Sequence, residues 1–191
     1  MDFKNKIVLI TGGCSGIGKI MGRKSLERGC QKLIIWDINE DGLAKTKEEF
    51  ASLGGEVFIF KVDISNLDSI KINSQRVRTE VGSVDILINN AGVVVGKYFH
   101  EHTHEQIEKS MLINSNAPMH ITLEFLTGMI LKNSGAICNI ASSAGLISNP
   151  KMSVYAASKW AVIGWSDSVR IELKQMKSNV QITTIAPYFI N

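Results

Sequence analysis

The sequence predicts an α/β protein, a doubly wound parallel sheet with helices on both faces, in three layers and one domain over residues 1–191. Short, continuously apolar runs alternate with helix-like patterns along the chain, and such runs are typical of strands buried on both faces of a parallel sheet. No linker, internal repeat or low-complexity segment interrupts the alternation. Parallel neighbours need right-handed crossovers, which place helices on both sides of the sheet.

The apolar runs and the breakers between them predict each element in turn. The predicted strands are 7–10, 33–36, 57–62, 85–88, 136–140 and 181–186. The first predicted helix follows a glycine-rich turn and continues through Leu26. The other predicted helices are 41–53, 66–80, 103–132 and 153–177. Gly54 and Gly55 end the second helix, and Thr103 with Gln106 forms a capping box at the start of the fourth.

The first strand runs directly into the glycine-rich turn, Thr-Gly-Gly-Cys-Ser-Gly-Ile-Gly, at residues 11–18. Glycines at 12, 16 and 18 allow a tight turn, close backbone approach to a pyrophosphate and close packing of helix on strand. The amides at the N-terminus of the following helix then face the phosphate charge. A plain loop is the alternative, but the position between a buried strand and a helix favours a dinucleotide cradle.

Asp37 follows the second strand, about 20 residues after the last of these glycines, where a carboxylate meets the adenosine ribose hydroxyls. A carboxylate there repels a 2′-phosphate, and neither Ser15 nor Ile38 supplies a compensating cation. The alternative role is a cap for the helix that begins near Glu40, and Asp37 is able to fill both roles. The sequence therefore predicts NAD as the cofactor, in preference to NADP.

Tyr155 and Lys159 form the candidate catalytic pair, because residues four apart on a helix share one face. A free phenol has a pKa near ~10, and a nearby ammonium lowers the pKa of a phenol by stabilising the phenolate. The pair is therefore suited to moving a proton to or from an alcohol or a ketone. The same spacing occurs on ordinary solvated helices, so the pair indicates a catalytic site only in combination with the other motifs.

Several motifs at consistent spacing give the chain a resemblance to the short-chain dehydrogenase/reductase family from Lys6 to Asn191. They are the glycine-rich turn, the run Asn89-Asn90-Ala91-Gly92 after the fourth strand, the helical Asn114, Ser142, and the pair Tyr155 and Lys159. The resemblance implies a Rossmann-type fold and hydride transfer between a nicotinamide cofactor and a secondary alcohol or ketone.

The resemblance also implies a role for individual residues. The implied catalytic residues are Tyr155 as the proton carrier, Lys159 as its cation and ribose contact, Ser142 as the substrate contact, and Asn114 as the link from Lys159 through water to solvent. The implied cofactor-binding residues are Gly12, Ser15, Gly16, Ile17, Gly18, Asp37, Asp63, Ile64, Asn90, Ala91, Gly92, Tyr155, Lys159, Pro187 and Ile190. Capping of the next turn is the alternative role of Asp63.

The end of the sequence departs from the family pattern in two ways. Residues 187–191, Pro-Tyr-Phe-Ile-Asn, stand where Pro-Gly is usual. Some steroid and retinol dehydrogenases of the family also lack that glycine, which favours a hydrophobic alcohol as substrate. The family's substrate-binding loop, last helix and last strand are also missing, and we expect a C-terminal tail that this sequence omits.

Two other functions stay open from the sequence. A catalytically silent, NAD-binding regulator of the same fold would carry the same cofactor motif. A sugar-nucleotide epimerase of the family's extended branch is disfavoured by the glycine spacing and the short chain. The family also implies a small-molecule substrate and a homodimer or homotetramer built on the helices that carry Asn114 and Tyr155. These helices have more apolar positions than one sheet face needs, including Met111, Ile121, Leu126, Val162 and Ile171.

Composition argues against several other classes of protein. The net charge of +3 comes from lysines spread among acidic residues, so neither nucleic acid nor a membrane is an expected partner. No uncharged stretch approaches ~18 residues, the length that a membrane span needs. The cysteines at 14, 30 and 138 lack metal-like spacing and indicate a reducing, cytoplasmic environment. His100, His102 and His104 alternate, but we expect loop histidines and no metal.

Overall fold

The computed structural model describes residues 2–188 and has the predicted three-layer α/β architecture. Its strands are β1 Ile7–Thr11, β2 Lys32–Asp37, β3 Glu56–Lys61, β4 Ile86–Asn89, β5 Ala136–Ile140 and β6 Gln181–Ile185. They form one parallel sheet in the order β3-β2-β1-β4-β5-β6. The strand order reverses between β1 and β4, so a crevice opens there at the carboxyl ends of the strands.

Helices cover both faces of this sheet. They are α1 Gly16–Glu27, α2 Glu40–Phe50, α3 Leu67–Glu80, α4 His104–Met111, α5 Ala117–Leu131 and α6 Ser153–Gln175. The predicted capping box begins α4, because the N–H of Gln106 donates to Oγ1 of Thr103 at 3.2 Å and the N–H of Thr103 donates to Oε1 of Gln106 at 3.3 Å.

The core lies in two layers because successive strand side chains point to opposite faces of the sheet. On one face, Leu9 belongs to a cluster with residues of α3, α5 and α6, such as Ile121 and Leu173. On the other face, Ile10 belongs to a cluster with residues of α1 and α2, such as Phe50. Both faces of β1 are thus buried, as its continuously apolar sequence predicts.

The single long helix predicted over 103–132 is interrupted by a π-helical turn, Leu112–Asn116, between α4 and α5. Pro118 has no N–H, so the carbonyl of Asn114, four residues earlier, lacks its α-helical donor. The N–H of Ala117 donates to the carbonyl of Leu112, five residues earlier. The wider turn puts Asn114 at a break in the regular helical bonding.

Candidate active site

A cavity of about 360 Å³ lies in the crevice at the carboxyl ends of β1, β2, β3 and β4. Ten of the residues predicted to bind a cofactor line this cavity, which we call the dinucleotide cavity. They are Gly12, Ser15, Gly16, Ile17, Asp37, Asp63, Ile64, Asn90, Ala91 and Gly92. Trp36, Ile38, Val62, Val93 and Ile113 also line it and were not predicted. Three of these directly flank Asp37 and Asp63 at strand ends, a sequence signal that could have identified them.

The glycine-rich turn is shaped to leave the start of α1 open. Gly16 has a φ of +50°, and no atom lies within 4 Å of the position that a Cβ would take, so this residue borders open space. Ser15, directly before α1, makes no side-chain cap, and the first amides of α1 are available to an anion. Gly18 was predicted to bind the cofactor but does not line the cavity. A Cβ at this position would stand 2.1 Å from the carbonyl oxygen of Gly12, so only glycine fits between the helix and the strand. Its role is the close packing of helix on strand.

Asn90 fixes the loop after β4 against this turn. Its Nδ2 donates to the carbonyl oxygens of Thr11 and Gly12 at 3.0 and 3.1 Å. In return, Oγ1 of Thr11 accepts the N–H groups of Asn90 and Ala91 at 3.0 and 3.1 Å. Thr11 was not predicted as a site residue, although it opens the glycine motif in the sequence. The two neighbouring strands thereby hold the two sides of the cavity at a fixed separation.

Asp37 is held by the backbone, and it does not cap α2. Its Oδ2 accepts the N–H of Cys14 at 3.1 Å and its Oδ1 accepts the N–H of Asn39 at 3.0 Å. The cap is Asn39, whose Oδ1 accepts the N–H of Gly42 at 3.0 Å. Burial of the Cys14 thiol and the nearby negative charge of Asp37 together raise the pKa of this thiol to about 12.

Asp63 has the turn-capping contacts that were the alternative to a cofactor role. Its Oδ1 accepts the N–H and the hydroxyl of Ser65 at 2.9 and 2.6 Å. It also lines the dinucleotide cavity, so the two roles do not exclude each other. Within residues 2–188, the lining of that cavity contains two carboxylates, Asp37 and Asp63, and no Lys or Arg.

A second cavity, of about 590 Å³, adjoins the first and shares Ile17, Asn90 and Gly92 with it. We call it the substrate cavity. The predicted residues that line it are Ser142, Tyr155, Lys159 and Pro187. Residues that also line it and were not predicted include Val94, Ala144, Asn149, Pro150, Met152 and Tyr188. Asn149, Pro150 and Met152 lie between Ser142 and Tyr155 in the sequence, which is the signal that could have found them. Ile190 lies outside the described residues.

Tyr155 and Lys159 lie on the first turns of α6, facing the substrate cavity. The Nζ atom of Lys159 is 5.7 Å from the ring centroid of Tyr155 and donates to the carbonyl oxygen of Ile140 at 2.8 Å. The side chain is only 4% exposed, and burial lowers the pKa of Lys159 to about 8. This ammonium is still largely charged at pH 7, beside the phenol ring.

Ser142 shares the lining of the substrate cavity with this pair, and Asn114 bonds to Ser158, the residue next to Lys159. Ser142 follows β5, and its Oγ accepts the N–H of Ala144 at 3.2 Å, at the start of the 3₁₀ turn Ser143–Gly145. Asn114 is 1% exposed and lines neither cavity. Its Oδ1 accepts the N–H of Val93 at 2.8 Å, and its Nδ2 donates to the carbonyl oxygen of Val93 at 2.9 Å. The side chain of Asn114 thus holds the loop that lines both cavities.

The histidine tract lies away from these contacts. His100 stacks on Tyr98, and His102 lies against Phe99, with ring centroids 6.1 and 6.5 Å apart. In the described part of the chain, no group of three or more His, Cys, Asp or Glu side chains is placed to hold a metal ion.

No helix between residues 2 and 188 is both long and apolar enough to cross a bilayer.

Comparison with known proteins identifies the family. Residues 6–191 match the profile of the short chain dehydrogenases, and the chain belongs to this family. It is 39%, 37% and 36% identical to short-chain dehydrogenase/reductase family 16C member 6 from Bos taurus, estradiol 17-beta-dehydrogenase 11 from Homo sapiens and epidermal retinol dehydrogenase 2 from Homo sapiens. These alignments cover 99%, 97% and 97% of this chain, and 60%, 62% and 60% of the relatives. The chain thus spans about three fifths of the length of the curated relatives it matches.

Solved structures share the fold over the whole chain. A short-chain dehydrogenase/reductase from Burkholderia phymatum in complex with NAD is 30% identical, with a TM-score of 0.95, and 68% of it is covered. A metagenomic short-chain oxidoreductase in complex with NADP is 28% identical, with a TM-score of 0.91, and 85% of it is covered. Both comparisons cover 100% of this chain. The predicted Rossmann-type fold and the predicted family are therefore confirmed.

Proposed function

We propose that this chain is an oxidoreductase that uses a nicotinamide cofactor to interconvert a secondary alcohol and a ketone. The observation that carries the proposal is the contact between the two cavities. Tyr155, Lys159 and Ser142 line the substrate cavity, and this cavity meets the dinucleotide cavity at Gly92. A proton-transferring pair therefore stands beside the place where the end of a dinucleotide would lie. The nicotinamide ring, when bound there, supplies the hydride chemistry.

In this proposal Tyr155 accepts the proton of the alcohol hydroxyl during oxidation and returns it to the carbonyl oxygen during reduction. Lys159 stabilises the phenolate by its charge, which its position 5.7 Å from the ring supports, and it contacts the nicotinamide ribose hydroxyls. Ser142 hydrogen-bonds the substrate oxygen and so fixes the reacting carbon toward the dinucleotide cavity. The redox step and the proton step are thereby carried out by different groups.

Asn114 is proposed to connect Lys159 with solvent through water. A Cβ built on Gly92 would stand 3.2 Å from Oδ1 of Asn114 and 3.7 Å from Nζ of Lys159, so both groups border the same residue. The carbonyl oxygen of Asn114 lacks an α-helical donor because of Pro118, and this oxygen is the group we assign to a water-mediated proton path.

The cofactor proposed for this site is NAD(H). The open N-terminus of α1 suits a pyrophosphate, and Asp37 at the end of β2 suits the ribose hydroxyls. In the same proposal Asp63 and Ile64 contact the adenine, and the residues Asn90, Ala91 and Gly92 contact the nicotinamide half. The two carboxylates of the dinucleotide cavity support a preference against the 2′-phosphate of NADP(H).

NADH is expected to bind at least about fivefold more tightly than NADPH, because Coulomb repulsion between Asp37 and a 2′-phosphate amounts to roughly 1–4 kcal/mol. Asp37→Ala should shrink this difference. Asp37→Asn is the variant closest in shape, since it removes the charge and its one oxygen still accepts one of the two backbone N–H groups that Asp37 accepts. Fluorescence titration of both cofactors measures the ratio. Equal or tighter binding of NADPH by the unmutated protein would contradict the assignment of Asp37.

The substrate proposed is a hydrophobic alcohol or ketone. Val94, Met152, Pro150 and Tyr188 contribute apolar surface to the substrate cavity, and its volume of about 590 Å³ suits a ligand of drug-like size. The relatives named for estradiol and retinol support the same class of substrate.

A spectrophotometric NADH screen against steroids, retinoids, polyols and small secondary alcohols tests the proposed reaction. Turnover of a hydrophobic alcohol, followed by the absorbance change of the cofactor, supports it. Tight NADH binding without turnover of any of these classes would favour the silent regulator of the same fold.

A homodimer or homotetramer is also proposed, and of the apolar positions that the sequence suggested, Ile171 is exposed enough to take part. Ile121 and Val162 are buried in the core, at 1% and 2% exposure, so they are unavailable to a partner. Leu123 and Leu131 on α5, and Trp160 and Ile171 on α6, are large apolar side chains that are 54–83% exposed. Trp160 and Ile171 share one face of α6, because eleven residues return to nearly the same helical angle.

Light scattering at micromolar concentration is expected to report a dimer or a tetramer. The variant with Trp160→Glu and Ile171→Glu together should shift the population toward monomer, because it places charge in an apolar contact. Lys47→Glu, at an exposed position of α2 on the other face of the sheet, is the control for the added charge alone. A strictly monomeric unmutated protein would count against this assembly.

A further inference from the structure

Ser158, next to Lys159 on α6, is fully buried and lines neither cavity. Its hydroxyl donates to the carbonyl oxygen of Tyr155 at 2.6 Å and accepts Nδ2 of Asn114 at 3.1 Å. Its carbonyl oxygen accepts the hydroxyl of Ser115 at 3.3 Å. Ser158 is therefore bonded to the π-helical turn through both its side chain and its main chain, at the level of the candidate catalytic pair.

These bonds continue into the walls of both cavities. Asn114, which donates to Ser158, also holds the N–H and the carbonyl of Val93. Val93 adjoins Gly92, and Gly92 lines both the dinucleotide and the substrate cavity. The Nδ2 group of Asn114 has two hydrogens, and the two acceptors are Ser158 and Val93. Loss of the serine hydroxyl would leave one of these hydrogens without that partner in a buried place.

We propose that Ser158 is a positioning residue, whose hydroxyl fixes the α6 turn that carries Tyr155 and Lys159 against Asn114 and thereby against the loop at Gly92. This inference rests on the proposed function, because it assigns a role within that site. A buried donor left unpaired draws its side chain toward another acceptor. Displacement of Asn114 would then move the Gly92 loop relative to Lys159, and a misplacement of about 1 Å lowers rates by as much as ~10²-fold.

The same helix carries a matched control. Ser166 is also fully buried, its hydroxyl donates to the carbonyl oxygen of Val162 at 2.6 Å, and it accepts Nδ2 of Asn139 at 2.8 Å. Neither Ser166 nor Asn139 lines either cavity. Ser158→Ala and Ser166→Ala thus each remove two hydrogen bonds of the same kind. Ser158 lies beside Tyr155 and Lys159, and Ser166 lies two turns further along α6.

The experiment measures three quantities for both variants: the melting temperature, the Kd of NADH, and kcat and KM for an alcohol that the unmutated protein turns over. Similar falls in melting temperature are expected, because the lost contacts are alike. Ser158→Ala should raise the Kd of NADH about fivefold or more and lower kcat about tenfold to a hundredfold with little change in KM. Ser166→Ala should leave Kd, kcat and KM within about twofold. Ser158→Cys, which keeps the size and weakens both bonds, should shift Kd and kcat in the same direction and serves if the alanine variant does not fold.

The outcomes separate this inference from the proposed function. Equal losses of kcat in the two alanine variants, or unchanged Kd and kcat in Ser158→Ala and Ser158→Cys, would overturn the positioning role while the oxidoreductase assignment stands. An unmutated protein that neither binds NADH nor turns over any alcohol would overturn both. A selective loss at Ser158, with Ser166→Ala equally destabilised and fully active, establishes the positioning role.

Discussion

Replacing Tyr155 by Phe is expected to lower turnover by about 10²–10⁴-fold, the range typical of losing a general acid or base. The variant removes one hydroxyl and keeps the ring that borders the substrate cavity. The fold and the Kd of NADH should therefore stay close to those of the unmutated protein. Steady-state kinetics with a verified alcohol substrate, together with NADH titration and thermal melting, measure these three properties.

Tyr98→Phe is the control for the loss of a phenolic hydroxyl. Tyr98 is half exposed and is absent from the lining of the substrate cavity, so its ring contacts with His100 and Lys151 should survive the change. Its kinetics should match those of the unmutated protein. Near-normal turnover by Tyr155→Phe would mean that another group carries the proton, and the mechanism proposed here would fail.

Features set by local sequence were predicted well. The strand β5 has the predicted bounds, Ala136–Ile140, because four of its five residues are apolar and such short apolar runs are typical of buried parallel strands. The start of α4 was also predicted, since a capping box needs only Thr103 and Gln106. The dinucleotide cavity followed from strand ends and glycines, whose positions local patterns define.

Features that depend on contacts between distant residues were missed. Asp37 and Asn39 are both good cap residues, and α2 takes Asn39 because the carboxylate of Asp37 bonds to the N–H of Cys14 in another loop. The apolar pattern over 103–132 is continuous, so it concealed the π-helical turn that Pro118 and the contacts of Asn114 with Val93 accompany.

Part of the interface predicted on α5 and α6 was misassigned for a related reason, although Ile171 is exposed as the prediction requires. Hydrophobicity alone selected Ile121 and Val162, but the direction of each side chain depends on how the helix is rotated against the sheet. The buried serines of α6 were missed in the same way, because their partners are asparagines on other elements. Sequence patterns thus predicted most of the segments that line the two cavities, and tertiary contacts decide which polar groups hold them in place.

Lys159→Met is expected to separate stability from function. Loss of the cation and of the ribose contact should weaken NADH binding and lower turnover by about 10²-fold or more. The buried ammonium also destabilises the folded state, because burial lowers the pKa of Lys159 from 10.5 to about 8. That difference corresponds to about 3 kcal/mol of unfolding free energy. The hydrogen bond from Nζ to the Ile140 carbonyl offsets part of it.

The sign of the pH dependence follows from proton binding. Between pH 8 and 10.5 the unfolded chain holds the proton of Lys159 and the folded chain has lost it, so this residue makes the unfolding free energy rise with pH. Below pH 8 both states are protonated and the full penalty of burying the charge applies. The methionine variant has no such group, and it should be at least as stable as the unmutated protein at pH 7.

Denaturant unfolding of both proteins between pH 7 and 10.5 measures the difference, in which the titrations of groups that do not interact with Lys159 cancel. The advantage of Lys159→Met should shrink by up to about 3 kcal/mol across this interval. Lys174→Met, at an exposed position near the end of α6, is the control for replacing a lysine by a methionine on this helix. A flat difference for Lys159→Met would mean that the buried ammonium is fully compensated in the fold. A large loss of stability at pH 7 would mean that Lys159 serves the structure, and its burial beside Tyr155 would then need no catalytic explanation.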